Sequence, residues 1–157
     1  MEFISRSPEQ TRRLGMRLGA LLKAGSLICL AGDLGSGKTV FVQGLAVGWG
    51  SLDAVSSPSF VLVNVYRGPY AQQFYHMDAY RLSSANEALD LDLDAMLEKG
   101  PLVIEWADRI QAALPSESLW VKMRWIDHEQ RDLLFSATGD LYQEMLARIR
   151  RQVFGVR

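Results

Sequence analysis

The chain has 157 residues, of which 48% are apolar and 22% charged, and its formal net charge is −1. That is one ordinary domain's length, with enough apolar residues to bury a core. The charge balance excludes a binder that grips polyanions through overall charge. The single cysteine, Cys29, excludes an internal disulfide and a cysteine zinc cluster; set in an apolar strand, it reads as a small buried hydrophobe.

No internal repeat, low-complexity tract or linker interrupts the chain, so residues 1–157 are expected to form a single domain. The opening MEFISRSPEQ has no apolar stretch of signal-peptide length, and no run approaches membrane-spanning length. A cytoplasmic protein with no membrane partner is the expectation. Phe3 to Ser5 reads as a short strand. A helix should follow, with Ser7 as N-cap, Pro8 in the first helical position and Gln10 completing a capping box. Its apolar face is Leu14, Leu18, Leu21 and Leu22, and Gly25 is its expected stop.

A strand is predicted from Ser26 to Ala31, and a helix from Lys38 to about Val47, with the glycine-rich GDLGSGKT (32–39) between them. Residues 61–66 and 73–77 read as strands joined across Gly68-Pro69. The spacing of Leu89, Leu93, Met96 and Leu97 predicts one helix over 86–99, whose acids Glu87, Asp90, Asp92, Asp94 and Glu98 would form a solvated face. Leu102 to Glu105 is a short buried strand. A second hairpin, 119–126 with 133–137, turns at Asp127-His128-Glu129, and an amphipathic helix closes the chain over 140–153, more suited to packing on the sheet than to presenting its arginines. Strands alternating with helices around a parallel unit, with hairpins added, predict an α/β fold with a mixed parallel and antiparallel sheet flanked by helices.

Gly32, Gly37, Lys38 and Thr39 fit the pattern G-x-x-x-x-G-K-[ST]. Glycines let consecutive backbone N–H groups turn inward and approach phosphate oxygens, and the positive end of the next helix adds to that field. A lysine supplies a point charge to the terminal phosphates, and the neighbouring hydroxyl ligates Mg²⁺. The predicted cradle is Asp33, Leu34, Gly35, Ser36, Gly37, Lys38, Thr39 and Val40, holding ATP with Mg²⁺, and the fold expected is that of a P-loop nucleoside triphosphatase. Such a site needs a carboxylate at a neighbouring strand end, and Asp78 and Glu105 are both candidates. One could sit near the metal while the other orients the attacking water. His76, with no second ligand at metal spacing, is assigned to packing or hydrogen bonding. Tyr80 and Trp106, beside strand ends, read as packing aromatics before base-stacking ones.

Four segments in this order, GDLGSGKT (32–39), SPSF (57–60), YHMDAYRL (75–82) and VIEW (103–106), resemble the TsaE family, also called YjeE. The resemblance spans roughly Ser7 to Trp106. It implies a small ATPase supporting the TsaB–TsaD pair, which places a threonylcarbamoyl group on the adenosine beside the anticodon of tRNAs reading ANN codons. tRNA would then be met only through that complex. By matched position Lys38, Asp78 and Glu105 would be catalytic, and Thr39, Asp78 and Glu105 would hold the metal. Ser59 would lie in a loop responding to the γ-phosphate, and Thr11 and Arg131 would contact nucleotide outside the cradle. The family's loop usually has threonine where this chain has Ser59, which keeps the hydroxyl and loses the methyl. The last helix extends beyond the matched part.

Two other readings share the loop. A small-molecule kinase would need an arginine-bearing lid, for which Arg67 or Arg81 is available, and a nucleotide-gated assembly module would bind without turnover. The chain has no N-K-x-D segment to select guanine, which disfavours a signalling GTPase.

Overall fold

The computed structural model describes residues 1–33, 35–56 and 63–155. Its elements run β1 (Glu2–Ser5), α1 (Pro8–Gly19), β2 (Leu27–Gly32), α2 (Lys38–Trp49), β3 (Val63–Arg67), β4 (Gln73–Asp78), α3 (Ala85–Leu89), α4 (Leu93–Lys99), β5 (Leu102–Glu105), β6 (Ser118–Trp125), β7 (Arg131–Thr138) and α5 (Asp140–Phe154). Among the described residues the strands form one sheet in the order β1-β7-β6-β2-β5-β4-β3. The middle four, β6, β2, β5 and β4, pair in parallel; β3 is antiparallel to β4, and β7 to β6 and β1. The two hairpins read from the sequence thus flank a parallel centre. A single-domain α/β architecture with a mixed sheet is what the alternation of elements predicted.

Period-two alternation divides the apolar strands between two layers. Ile28, Leu30, Phe74, Val103, Leu119 and Val121 lie in one core with Leu14 and Leu18 of α1, Phe41 and Leu45 of α2, and Met145 and Ile149 of α5. Leu27, Cys29, Tyr75, Met77, Leu102 and Ile104 lie in the other, with Ala88, Leu93 and Ile110. Cys29 is fully buried, and desolvation pushes its thiol up to about 12, so it is the inert hydrophobe its setting predicted. The same alternation puts Glu105 on the layer of Val103, and Asp78 with His76 on that of Phe74. All three therefore project towards the side that carries α2.

Three local expectations need correction. Ser7 does cap α1, accepting from Gln10 N–H at 3.2 Å, but Gln10 Oε1 takes the Arg6 N–H at 2.8 Å rather than that of Ser7. The helix stops at Gly19, not Gly25. Tight bonds from Leu21 N–H to Leu18 O and from Leu22 N–H to Gly19 O take over there, and Gly25 serves the later turn with φ 93°. The single helix over 86–99 is two. Asp92 adopts the left-handed region (φ 50°) and its carboxylate caps Ala95 N–H, which leaves Leu89 in solvent. The last helix, in contrast, packs as expected, burying Tyr142, Met145, Leu146 and Ile149.

Helices α1 and α2 are held backbone to backbone. A Cβ on Gly48 would lie 2.0 Å from Met16 O and 2.7 Å from its carbonyl carbon. Gly48→Ala must therefore push the helices apart, an overpacking cost of roughly 3 kcal/mol. At about 2–4 °C per kcal/mol for a chain of this size, the melting midpoint should fall by roughly 10 °C in differential scanning calorimetry. A midpoint within a degree of wild type would show that the two helices are not so tightly joined.

Candidate functional site

In a parallel centre of this kind, ligands lie beyond the carboxyl ends of the strands. There β2 ends at Gly32 and the chain turns into α2. Gly37 caps that helix in the left-handed region (φ 97°), a conformation a side chain resists, and among the described residues no side-chain cap bonds the helix start. No acid lies in that turn either. Its N–H groups and the positive helix end are thus left for an outside acceptor.

Lys38, the first residue of α2, is only 6% exposed. Its Nζ donates to Gly32 O at 2.7 Å, Asp33 O at 2.8 Å and Ser36 Oγ at 3.3 Å, and lies 4.2 Å from the centre of the Trp106 ring. Burial lowers the tendency of Lys38 to hold its proton, and the charges of Glu105, Asp33, Asp108 and Asp78 work the other way. Asp78 and Glu105 are register partners at the ends of β4 and β5. Burial pushes the Asp78 carboxyl above the usual carboxylate range, opposed first by the Tyr80 N–H, which donates to Oδ1 at 2.9 Å. The nearby charge of Glu105 adds to the upward push.

A cleft of about 380 Å³ is lined by Gly35, Ser36, Gly37, Lys38, Thr39, Val40, Asp78, Glu105, Trp106 and Arg131. Most of the residues singled out from the sequence are thus brought together. Arg131, from the start of β7, reaches Gly35 O at 3.1 Å and ties the hairpin to the loop. Asp33 is exposed beside the cleft and contributes its carbonyl to Lys38. Thr11 is not brought there. It is 2% exposed, and its hydroxyl is shared with Ser5 Oγ at 2.6 Å between α1 and β1. Leu34 and Ser59 lie outside the described residues.

Trp106 packs at the cleft rim, as its reading as a packing aromatic allowed, and its ring also lies over Lys38, which that reading did not include. The signal lies in the backbone: Trp106 follows β5 in the left-handed region (φ 58°), an uncommon conformation for a bulky residue, and this folds its ring over Lys38. Tyr80 packs against it at 4.9 Å between ring centres with the planes inclined at 55°, and the Arg109 guanidinium lies 4.8 Å from the Tyr80 ring centre. His76 makes hydrogen bonds, as its assignment to packing or hydrogen bonding allowed, and one of them holds Glu105.

The loop between β2 and α2, its lysine, and strand-end acids on a mixed sheet define a P-loop nucleoside triphosphatase. The comparisons narrow that class. A family model described as threonylcarbamoyl adenosine biosynthesis protein TsaE matches residues 5–133, further along the chain than the motifs alone reached and ending before α5. The TsaE protein of Treponema pallidum is 38% identical over 85% of this chain and 98% of its own length. That of Bacillus subtilis is 34% identical over 92% and 90% respectively. The crystal structure of Bacillus subtilis YdiB superposes with a TM-score of 0.79 at 29% identity, covering 97% of this chain and 95% of that one. The chain belongs to the TsaE family, and as a member it is a P-loop ATPase. Membership implies use of ATP with Mg²⁺ and work within a tRNA-modification complex. Among the described residues no helix is long and apolar enough to cross a membrane.

Proposed function

We propose that this cleft binds MgATP and that its hydrolysis supports turnover of a TsaB–TsaD pair as it installs threonylcarbamoyladenosine in tRNAs reading ANN codons. The observation that carries the reading is the convergence of Lys38, the uncapped start of α2 and the register pair Asp78–Glu105 on one cleft. In this reading the N–H groups of residues 35–40 cradle the β- and γ-phosphates, and Lys38 leaves the loop carbonyls to meet them. Arg131 and Trp106 close the sides.

Thr39, Asp78 and Glu105 offer hard oxygen donors suited to magnesium. Among the described residues no group of three or more His, Cys, Asp or Glu forms a ready-made cage. Magnesium is ordinarily held through one or two carboxylates, with phosphate and water completing the shell. Bound there, the ion would neutralise charge developing on the phosphate oxygens. The protein's own part is to fix the phosphates, exclude misaligned geometries, and orient the attacking water through a strand-end carboxylate. A kinase lid at Arg67 is not supported, because its guanidinium is held by Asp53 at 2.8 Å and it pairs with Gln73, at the opposite end of β4 from Asp78.

Depleting the protein in its host and measuring tRNA nucleosides by mass spectrometry tests the assignment. Threonylcarbamoyladenosine is expected to fall at least several-fold and to return with the wild-type chain. Normal levels after depletion would overturn the pathway while leaving the nucleotide site intact.

A further inference from the structure

Glu105 does not stand free at the cleft wall. Its Oε2 lies 2.5 Å from His76 Nε2, and the other ring nitrogen, Nδ1, lies 2.9 Å from the Tyr66 hydroxyl. His76 is wholly buried and Tyr66 is 4% exposed. Tyr66 Oη in turn lies 3.0 Å from Ser56 O and accepts from Ser56 N–H at 3.3 Å, while Asn64 Nδ2 donates to the same carbonyl at 3.2 Å. One continuous chain of polar groups therefore runs from the cleft, through β4, to β3 and the main chain at Ser56.

An ionised carboxylate only accepts, so His76 Nε2 carries a ring proton and donates to Glu105. The other ring nitrogen, Nδ1, shares a hydrogen bond with the Tyr66 hydroxyl, a group able to give or to accept a proton there. Ser56 O keeps the Asn64 amide. No member of the chain is stranded: the buried polar side-chain atoms without partners, among the described residues, are Ser118 Oγ and Asp132 Oδ1.

We propose that His76, oriented by Tyr66, is a positioning residue that fixes the Glu105 carboxylate for hydrolysis. This rests on the ATPase reading above. A glutamate has three side-chain torsions to order, and the charge of Lys38 attracts it while that of Asp78 repels it. Tethering Oε2 from behind leaves the other carboxylate oxygen to the cleft and removes the swing that would misplace an attacking water. The arrangement is the same logic by which an outer hydrogen bond fixes a working side chain at metal sites.

The test uses the chain with TsaB and TsaD present, reading ATP hydrolysis, nucleotide Kd and melting midpoint together. His76→Phe keeps a flat, slightly larger ring and removes the donor; kcat is expected to fall at least tenfold while Kd for MgATP stays within twofold. His76→Gln places an amide N–H near the position of Nε2 and should recover kcat to within about threefold of wild type. Tyr66→Phe removes only the hydroxyl and should cost kcat at least threefold at unchanged Kd. A packing role would make loss of activity follow the melting midpoint and would give His76→Gln no advantage over His76→Phe. That result, or wild-type kcat in His76→Phe, overturns the proposal. If His76→Phe does not fold, the comparison of Tyr66→Phe with wild type decides it in the same way. A wild-type chain that neither binds nor hydrolyses ATP would instead sink the ATPase reading itself.

Discussion

Lys38→Ala will show no measurable MgATP binding in titration calorimetry under conditions where the wild-type chain saturates. The lysine is the positive side chain that the loop itself places in the cleft, and it is surrounded by acids. Glu105, Asp33, Asp108 and Asp78 all act on it electrostatically. Removing the ammonium takes away an attraction for the terminal phosphates and leaves that acidic wall facing a polyanion. Truncating one member of such a charge pair typically costs about 2–5 kcal/mol, a loss of roughly 30- to 4,000-fold in affinity. The fold should survive, because the carbonyls of Gly32 and Asp33 that lose a donor border an open cleft where water can replace it. Circular dichroism and the melting midpoint check that point. Unchanged affinity in a folded variant would remove the physical basis for a triphosphate site here.

The parts of this molecule that were legible in its sequence are those whose cause is local. The loop before α2 can be read because its glycines, lysine and threonine must be contiguous to wrap one ligand. Asp78 and Glu105 stood out because each ends an apolar run, and in a parallel centre a run's last residue emerges at the ligand-bearing edge. What stayed hidden depends on partners distant in the chain. Thr11 looked available on α1, yet β1 meets it through Ser5, and the helix rotation that buries it is set by packing against α2. The break at Asp92 was masked by leucines that kept helical spacing on both sides of a residue better used as a cap. Trp106 read as rim packing because nothing in VIEW announces a left-handed residue. Its ring reaches Lys38 only once β5 and β2 lie side by side. His76 could be placed on a face by counting from Asp78, but its two partners lie on β3 and β5, joined by register alone.

Asp78→Ala and Glu105→Ala should each keep nucleotide and lose turnover. Neither acid is needed to hold the phosphates, which the loop amides and Lys38 serve; near a polyanion, a carboxylate is useful only for what it does to magnesium and water. Affinity for MgATP is therefore expected within about threefold of wild type, and hydrolysis lower by roughly 10²–10⁴-fold, the range in which positioned acid–base groups act. The two variants differ in collateral cost. Asp78 is half-buried and holds the Tyr80 N–H, whose loss water can make good at the cleft. Removing the Glu105 carboxylate strands the buried His76 Nε2–H, a penalty of about 1–3 kcal/mol in stability. Glu105→Gln restores an acceptor for that proton and should regain the stability without the turnover. Stability and catalysis would thereby be separated at one position. Hydrolysis at the wild-type rate by either variant, measured with TsaB and TsaD present, would remove that acid from the chemistry and leave its strand-end position a matter of solubility alone.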